Sequence, residues 1–474
     1  MGVVEKRRFF ERMAARRDRF TRRNRYYYRD LTRFYQFHIP PGRRVLELGC
    51  CKGDLLAAMR PAFGVGVDLC RSFLDEAVKR RPECRFIQAD AEALPLAGEF
   101  DYIIISDVLE NLEDIQDTLR QLAACCRPDT RIVCNFFNHL WEPILKFGEH
   151  VGVKTPSLVP NWISIPDMEN IFLLSGFETV SRGRRMLFPR YVPLLSFFFN
   201  RVLGNLPGFR HLCLTQYLVA RPQPRPDPDW KTKWSVSVVV PTRDEAGNIP
   251  VCFQRTPKMG KWTELIFVDG NSTDGTVEAI EKGIADHGHE WERAILIHQG
   301  DGRGKGDAVR RGFAAARGDI LMILDSDLTM PPENLPKYYE AIATGRGELI
   351  NGCRMVYPME HQAMRLLNYV GNKVFSVLFS WLLGQRLKDT LCGTKVLWRR
   401  DYQHIAANRG FFGDFDPFGD FDLIFGAAKL DRKIVDLPIR YRERTYGQVK
   451  IERWKHALLL FRMCIVALRK LKLR

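Results

Sequence analysis

Residues 320–324 read Ile-Leu-Met-Ile-Leu and run directly into Asp325-Ser326-Asp327-Leu328-Thr329. Two carboxylates one residue apart at the end of an apolar strand put charge where burial disfavours it. The usual remedy is a divalent cation, Mg²⁺ or Mn²⁺, held by hard oxygen ligands and bridging phosphates. Other segments present polar groups in the same manner. Residues 235–240 (Ser-Val-Ser-Val-Val-Val) end in Pro241-Thr242-Arg243-Asp244-Glu245, and residues 264–268 end in Asp269-Gly270-Asn271-Ser272. Acids beyond the carboxyl ends of neighbouring parallel strands suit a nucleoside, Asp269 accepting from base or ribose and Glu245 from ribose. Gly302-Arg303-Gly304-Lys305-Gly306 precedes an amphipathic helical pattern. Glycines and cations at a helix start suit a diphosphate.

The first half of the chain has a similar layout. Residues 44–48 (Arg-Val-Leu-Glu-Leu) read as a buried strand, followed by Gly49-Cys50-Cys51-Lys52-Gly53-Asp54 and a helical stretch. A glycine turn there lets backbone N–H groups approach a ligand closely. Asp68, which closes the next strand, is placed to accept from ribose hydroxyls. Further strands are expected before Asp90, at 102–106 and at 131–136.

Such groups need a scaffold that lines up strand ends. Short β-rich runs alternate with helical patterns throughout, as in α/β layers with a largely parallel sheet. At 222–228 the chain reads Pro-Gln-Pro-Arg-Pro-Asp-Pro. Alternating prolines forbid helix and central strand and favour a stiff extended spacer. With 474 residues the chain exceeds one ordinary core. The reading is a basic helical arm at 1–38, an α/β domain at 39–221, a Pro-rich linker at 222–233, a second α/β domain at 234–450 and a basic amphipathic helix at 451–474.

A hydrophobic fraction of 46% and a charged fraction of 27% set aside disordered and fibrous classes. The net charge of +16 is concentrated at the ends, where twelve Lys and Arg between residues 5 and 33 face four acids and no acid follows Glu452. Basic ends suit an anionic surface. The twelve cysteines form no CxxC pair or zinc-finger spacing, which points to free thiols in a reducing compartment. No window approaches ~20 uninterrupted apolar residues. Shorter apolar stretches at 191–199, 366–383 and 457–468 are left, with Leu366, Val370, Val374, Leu378 and Trp381 at helical spacing.

Taken as a series, the segments from residue 39 to 221 resemble the class I S-adenosylmethionine-dependent methyltransferases, whose sheet is Rossmann-like. The resemblance puts Glu47, Gly49 and Gly53 on the first glycine motif, Asp68 at the ribose, Asp90 and Ala91 at the adenine, and Asp107 at the close of the fourth strand. In two places the chain departs from the family. Cys51 stands at the central glycine of the turn, beside the cofactor's carboxypropyl arm, and Asn111 stands where many relatives carry histidine.

Residues 235–468 resemble the GT-A glycosyltransferases of family 2, with a mixed α/β sheet, and within them the dolichyl- or polyprenyl-phosphate sugar synthases. By position this implies that Pro241, Thr242, Glu245, Asp269, Lys305 and Asp325 bind the nucleotide-sugar, and that Asp325, Asp327 and Thr329 hold the metal. Asn351-Gly352-Cys353-Arg354, Asp389-Thr390-Leu391-Cys392-Gly393-Thr394-Lys395, Phe421-Asp422-Leu423 and the run from Arg444 to Lys450 match segments of the lipid-phosphate branch. Val449 stands where relatives often have serine. A phosphate monoester is already an anion and needs no general base. It needs cations, for which Arg354, Arg444 and Lys450 are the candidates, and a metal to stabilise the leaving group. Asp422 is expected to act as a base or, preferably, to orient Arg444.

The expected partners are therefore a nucleotide-sugar donor, a polyprenyl-phosphate acceptor and an anionic membrane surface, without nucleic acid. The expected location is peripheral, on the cytoplasmic face of a membrane. A second reading sends the sugar to a glycan or small-molecule hydroxyl and makes the methyltransferase-like domain a non-catalytic binding module.

Overall fold

The computed structural model describes residues 3–154, 156, 161–357, 366–411, 420–442, 444, 446 and 453–473. The chain divides into two compact units, residues 1–223 with 472–474, and residues 224–471.

The first unit holds a seven-stranded sheet: β1 Arg44–Leu48, β2 Phe63–Asp68, β3 Arg85–Gln88, β4 Phe100–Ser106, β5 Cys126–Phe137, β6 Phe177–Arg185 and β7 Thr215–Pro222. The order is β3-β2-β1-β4-β5-β7-β6, with β7 antiparallel to both its neighbours and the other pairs parallel. The central strands are continuous apolar runs because helices cover both faces. Leu46, Leu48, Ile103 and Ile105 pack on one side with Leu119 and Phe172, while Val45 and Ile104 pack on the other with Phe34 and Tyr35.

Phe34 and Tyr35 belong to the second of two N-terminal helices, Val3–Arg23 and Arg25–His38. The arm that looked free to meet an anionic surface is bonded to the carboxyl edge of the sheet. Glu11 accepts from the N–H of Arg71 at 2.8 Å and the hydroxyl of Ser72, capping the helix Arg71–Arg80, which has no side-chain cap of its own. Lys52 lies 2.8 Å from both Asp18 and Glu76. Lys6 pairs with Glu92 and Glu113.

The second unit holds β8 Val236–Thr242, β9 Thr263–Asp269, β10 Arg293–His298, β11 Ile320–Ile323, β12 Leu349–Cys353, β13 Lys395–Trp398 and β14 Ile434–Pro438. Its order is β10-β9-β8-β11-β13-β12-β14, mixed because β13 runs antiparallel to β11 and β12. Val239, Ile266 and Val268 bury one face against Phe313 and Leu383, and Val238, Val240, Leu265 and Phe267 bury the other against Phe253 and Ile280. Residues from the proline-rich segment dock on this unit. The hydroxyl of Tyr339 donates to the carbonyl of Trp230 at 2.7 Å, and Gly345 lies against Pro224.

The two later apolar stretches are helices that turn one side inward. In the helix Leu366–Leu383, Phe379, Leu382 and Leu383 join the core, and Leu378 and Trp381 pack against it. In the helix Arg453–Ala467 the inward residues are Leu460, Met463, Cys464 and Ala467. The periodicity of an amphipathic segment thus recorded core packing as well as an outer face. Among the described residues no helix is long and apolar enough to cross a membrane.

Candidate active sites

In the second unit the parallel register sets Thr242 beside Asp269 and Ile323 beside Val239, so β8, β9 and β11 end along one edge. Beyond that edge the charged groups meet. Lys305, at the start of the helix Gly304–Ala315, reaches Asp325 at 2.6 Å. Arg444 bridges Asp327 at 2.6 Å and Glu245 at 3.4 Å. The N–H of Leu328, itself at φ +54°, donates to the carbonyl of Asp325 and closes the turn. Thr329 donates its hydroxyl to Asp327 at 2.8 Å and so holds that carboxylate in place. Glu245 also accepts from Asn248 at 2.7 Å, and Asp269 accepts from the N–H of Ser272. Thr242 donates its hydroxyl to the carbonyl of Val268, while the carbonyl of Pro241 accepts from Ser326. The edge is thereby tied across three strands.

A buried knot supports this edge from behind. Asp389, fully buried, accepts from Arg354 Nε and Nη2, each at 2.8 Å, and from Asn372 at 2.8 Å. Burial pushes the Asp389 carboxyl up, but the adjoining Arg354 guanidinium more than reverses this and holds it at about 2. The pair also favours the charged form of Arg354 against its own burial. Arg354, read from sequence as a contact for an acceptor phosphate, therefore spends its fork on Asp389. From this knot the chain runs to Gly393, where an added Cβ would lie 2.1 Å from Asp325 Oδ2 and 2.2 Å from Lys305 Nζ. A glycine at 393 is what lets the backbone close on the carboxylate.

Asp422 is not the group to which Arg444 is fastened. It lies 3.4 Å from Arg409 and 3.9 Å from Arg310, whereas Arg444 is aimed by Glu245 and Asp327. Lys450 and Val449 lie outside the described residues.

In the first unit Gly49 and Gly53 adopt φ +67° and +72°. Their lack of a side chain answers first to the protein, since a Cβ at 49 would meet Val108 and one at 53 the ring of Phe86. Cys51 takes φ +49° and donates its N–H to Asp68 at 2.8 Å, and Asp68 accepts from Cys70 as well. Asp90 accepts from the N–H of Glu92 at 3.0 Å, beside Ala91. Asp107 is bonded to Tyr27 at 2.8 Å and to Asn135. Burial raises the Asp107 carboxyl, and those two donors oppose the rise. Glu47 is buried with Oε2 lacking a hydrogen-bond partner among the described residues, and burial holds its carboxyl well above the usual range.

Two residues were missed by sequence reasoning. Arg17, from the N-terminal helix, stands 5.5 Å from the ring centre of Tyr28, and its charged form is favoured by Cys51 foremost and by Asp107 and Asp68. Glu110 accepts from the N–H of Phe137 at 2.7 Å. Burial first, and then the charge of Asp107, push its carboxyl up to about 8. Its signal was a carboxylate three residues beyond Asp107, visible only as one acid among several.

Residues 237–405 match the family model for glycosyl transferase family 2, and residues 19–182 match that for a methyltransferase domain. The chain joins a methyltransferase domain to a family 2 glycosyl transferase domain. Among curated proteins it is similar to the dolichol-phosphate mannosyltransferase of Saccharomyces cerevisiae, 40% identical over 22% of this chain and 40% of that protein. It is also similar to an undecaprenyl-phosphate 4-deoxy-4-formamido-L-arabinose transferase of Pectobacterium carotovorum, 26% identical over 46% of this chain and 62% of that protein. The chain thus spans less than two thirds of the length of each. Among solved structures, magnesium protoporphyrin IX methyltransferase from Synechocystis aligns over 46% of this chain and 99% of that one, at 18% identity and a TM-score of 0.34.

Proposed function

We propose that the second unit is a metal-dependent, inverting glycosyltransferase that moves a sugar from a nucleotide-sugar to a polyprenyl phosphate at a membrane surface. The observation that carries this reading is the convergence of Asp325, Asp327, Glu245, Lys305 and Arg444 beyond the ends of β8, β9 and β11. Two adjacent carboxylates and a hydroxyl suit Mg²⁺ or Mn²⁺, which ordinarily completes its shell on substrate phosphates and water. Asp325 and Asp327 would hold the ion, with Thr329 steadying Asp327; when bound, it supplies charge stabilisation to the departing diphosphate.

This chain's own residues divide the remaining work. Asp269 and Glu245 receive the nucleoside, with Thr242 and Pro241 fixing the strand end that carries them. Lys305 meets the donor's diphosphate at its helix start. Arg444, drawn onto Asp327 and Glu245, is the cation that turns to the incoming acceptor phosphate, with Lys450 as its expected companion. Arg354 is a positioning residue in this scheme: it anchors Asp389 so that Gly393 closes on Asp325. Asp422 lies between two arginines, which suits a structural ion pair and an acceptor that is already ionised.

The outer face of the helix Leu366–Leu383 exposes Val370, Val374 and Val377, the last two by 62% and 65%, and the helix Arg453–Ala467 adds Phe461. Such faces suit the interface plane on the cytoplasmic side of a membrane. For the first unit we propose S-adenosylmethionine as methyl donor. Asp68 would receive the ribose, Asp90 and Ala91 the adenine, and Arg17 the methionine carboxylate, while the Glu47 carboxyl has an oxygen to spare for the same cleft.

The test is transfer of labelled sugar from a panel of sugar nucleotides, with Mn²⁺ present, into the lipid phase on a short polyprenyl phosphate. Label carried to a free alcohol instead would favour a hydroxyl acceptor. Asp325→Ala should abolish transfer, and full activity in that variant would remove the assigned site.

A further inference from the structure

The methyltransferase unit carries a surface that its proposed chemistry does not use. Between β6 and β7 the chain makes an excursion over residues 186–214, and its large side chains point outward. Leu194 is 86% exposed, Tyr191 68% and Phe197 60%, and Phe198, Leu206, Phe209 and Leu212 are also exposed. Beside it the helix Glu142–His150 exposes Ile144 and Phe147. The two are joined through Trp141, whose indole N–H donates to the carbonyl of Leu212 at 2.7 Å, and Asn138, which donates to the carbonyls of His211 and Cys213 at 2.8 Å each. So many apolar side chains on one surface exceed the scattered exposure normal for a soluble domain.

This excursion is a built loop that presents its side chains deliberately. Polar residues face inward and fasten the backbone: Ser196 donates to the carbonyls of Arg190 and Val192, each at 2.8 Å. Asn200 accepts from the N–H of Phe188 at 2.7 Å and donates to its carbonyl at 2.8 Å. Leu194 sits at φ +61°, a conformation that a non-glycine residue adopts at a cost and that turns its side chain out at the tip.

Charge says what should cover it. Within residues 186–214 the sequence has three arginines and no acid; Arg201 pairs with Asp30, which leaves Arg190 and Arg210 to face the solvent side. Leucine and aromatic side chains projecting from such a basic surface match the composition of interface-seeking segments, which dip into the headgroup region of anionic bilayers. Position adds the functional meaning. Phe137 pairs with Thr215, and Arg185 with Thr215, so both apolar segments leave the sheet at the carboxyl edge that carries the Gly49–Gly53 turn. Asn200 bonds to the hydroxyl of Tyr26 at 3.1 Å, and the next residue, Tyr27, holds Asp107 in the cofactor cleft.

We propose that residues 186–213, with the helix Glu142–His150, form a lip that inserts into an anionic bilayer, so that the first unit takes its methyl acceptor from the membrane plane as an amphiphile. The choice of a bilayer as occupant rests on the lipid-phosphate reading of the second unit.

The test is hydrogen exchange, followed by mass spectrometry, on the full chain with vesicles of phosphatidylcholine alone or with about 30% phosphatidylglycerol. Anionic vesicles should slow exchange about tenfold in peptides covering 140–151 and 191–212. Leu194→Asp combined with Phe197→Asp, at side chains already in water, should remove that protection and leave peptides covering 369–377 protected. Arg190→Ala should weaken vesicle binding about fivefold. Protection of 369–377 without 191–212 would overturn the lip and leave the reading of the second unit standing; protection of neither would overturn both. Equal protection on neutral vesicles would overturn the anionic requirement. Slow exchange at 191–212 without vesicles, rising with protein concentration, would assign the surface to a second copy of the chain.

Discussion

Removing the Asp389 carboxylate should unfasten the second unit at a definable cost. Its value of about 2 against the ordinary 3.8 corresponds to about 2 kcal/mol of preference for the ionised form, at 1.36 kcal/mol per pH unit. Asp389→Asn should cost more, about 3–5 kcal/mol, because Arg354 stays buried with its charge uncompensated. The folded value lies below the unfolded one, so this stabilisation is complete above about pH 4 and is lost as pH falls through about 2. Urea unfolding followed by tryptophan fluorescence reads the right unit, since seven of the nine tryptophans fall within residues 224–471. Arg354→Met with Asp389→Leu, which removes both charges, should recover part of the loss. A loss below about 1 kcal/mol in Asp389→Asn, or a double variant no more stable than the single one, would refute the anchoring argument.

Three other perturbations have expected outcomes. Gly393→Ala should lower kcat of sugar transfer about 100-fold while the second unit stays folded, because its Cβ would displace Asp325 and Lys305; steady-state kinetics and circular dichroism separate the two effects. The first unit should lose about 3–5 kcal/mol of stability as pH rises from about 4.5 to about 8, since Glu110 stays protonated in the fold over that window while the unfolded chain ionises. Thermal unfolding across pH should show that decline flattened in Glu110→Gln. Cys51→Gly relieves a φ of +49° and clears a side chain from the turn, so calorimetry should record S-adenosylmethionine binding about fivefold tighter than in the native chain.

The sequence by itself determined the class of both sheets, the strands at the centre of each, and which residues stand as candidates at their ends. Runs such as 265–268 and 320–324 are apolar on every residue because their strands are covered on both faces, and the polar residue that ends each run therefore marks an edge. Pro241, Thr242, Glu245, Asp269, Asp325 and Asp327 were legible for this reason, and so were Asp68 and Asp90. The proline-rich stretch at 222–228 likewise stood out as local chemistry. What only the tertiary structure decided was pairing between distant charges. Arg354 looked available until Asp389, 35 residues away, took its fork. Arg444 reads as a lone cation until Asp327, 117 residues away, and Glu245, 199 away, meet it. The N-terminal arm read as a free basic segment because its charge counts could not show that Glu11, Asp18 and Lys6 spend themselves on the sheet's edge. Periodicity, finally, records that a helix has an apolar side but not how many of its sides find a partner. Helix Leu366–Leu383 turned one to the core and kept Val374 and Val377 outside, a division that depends on the elements packed around it.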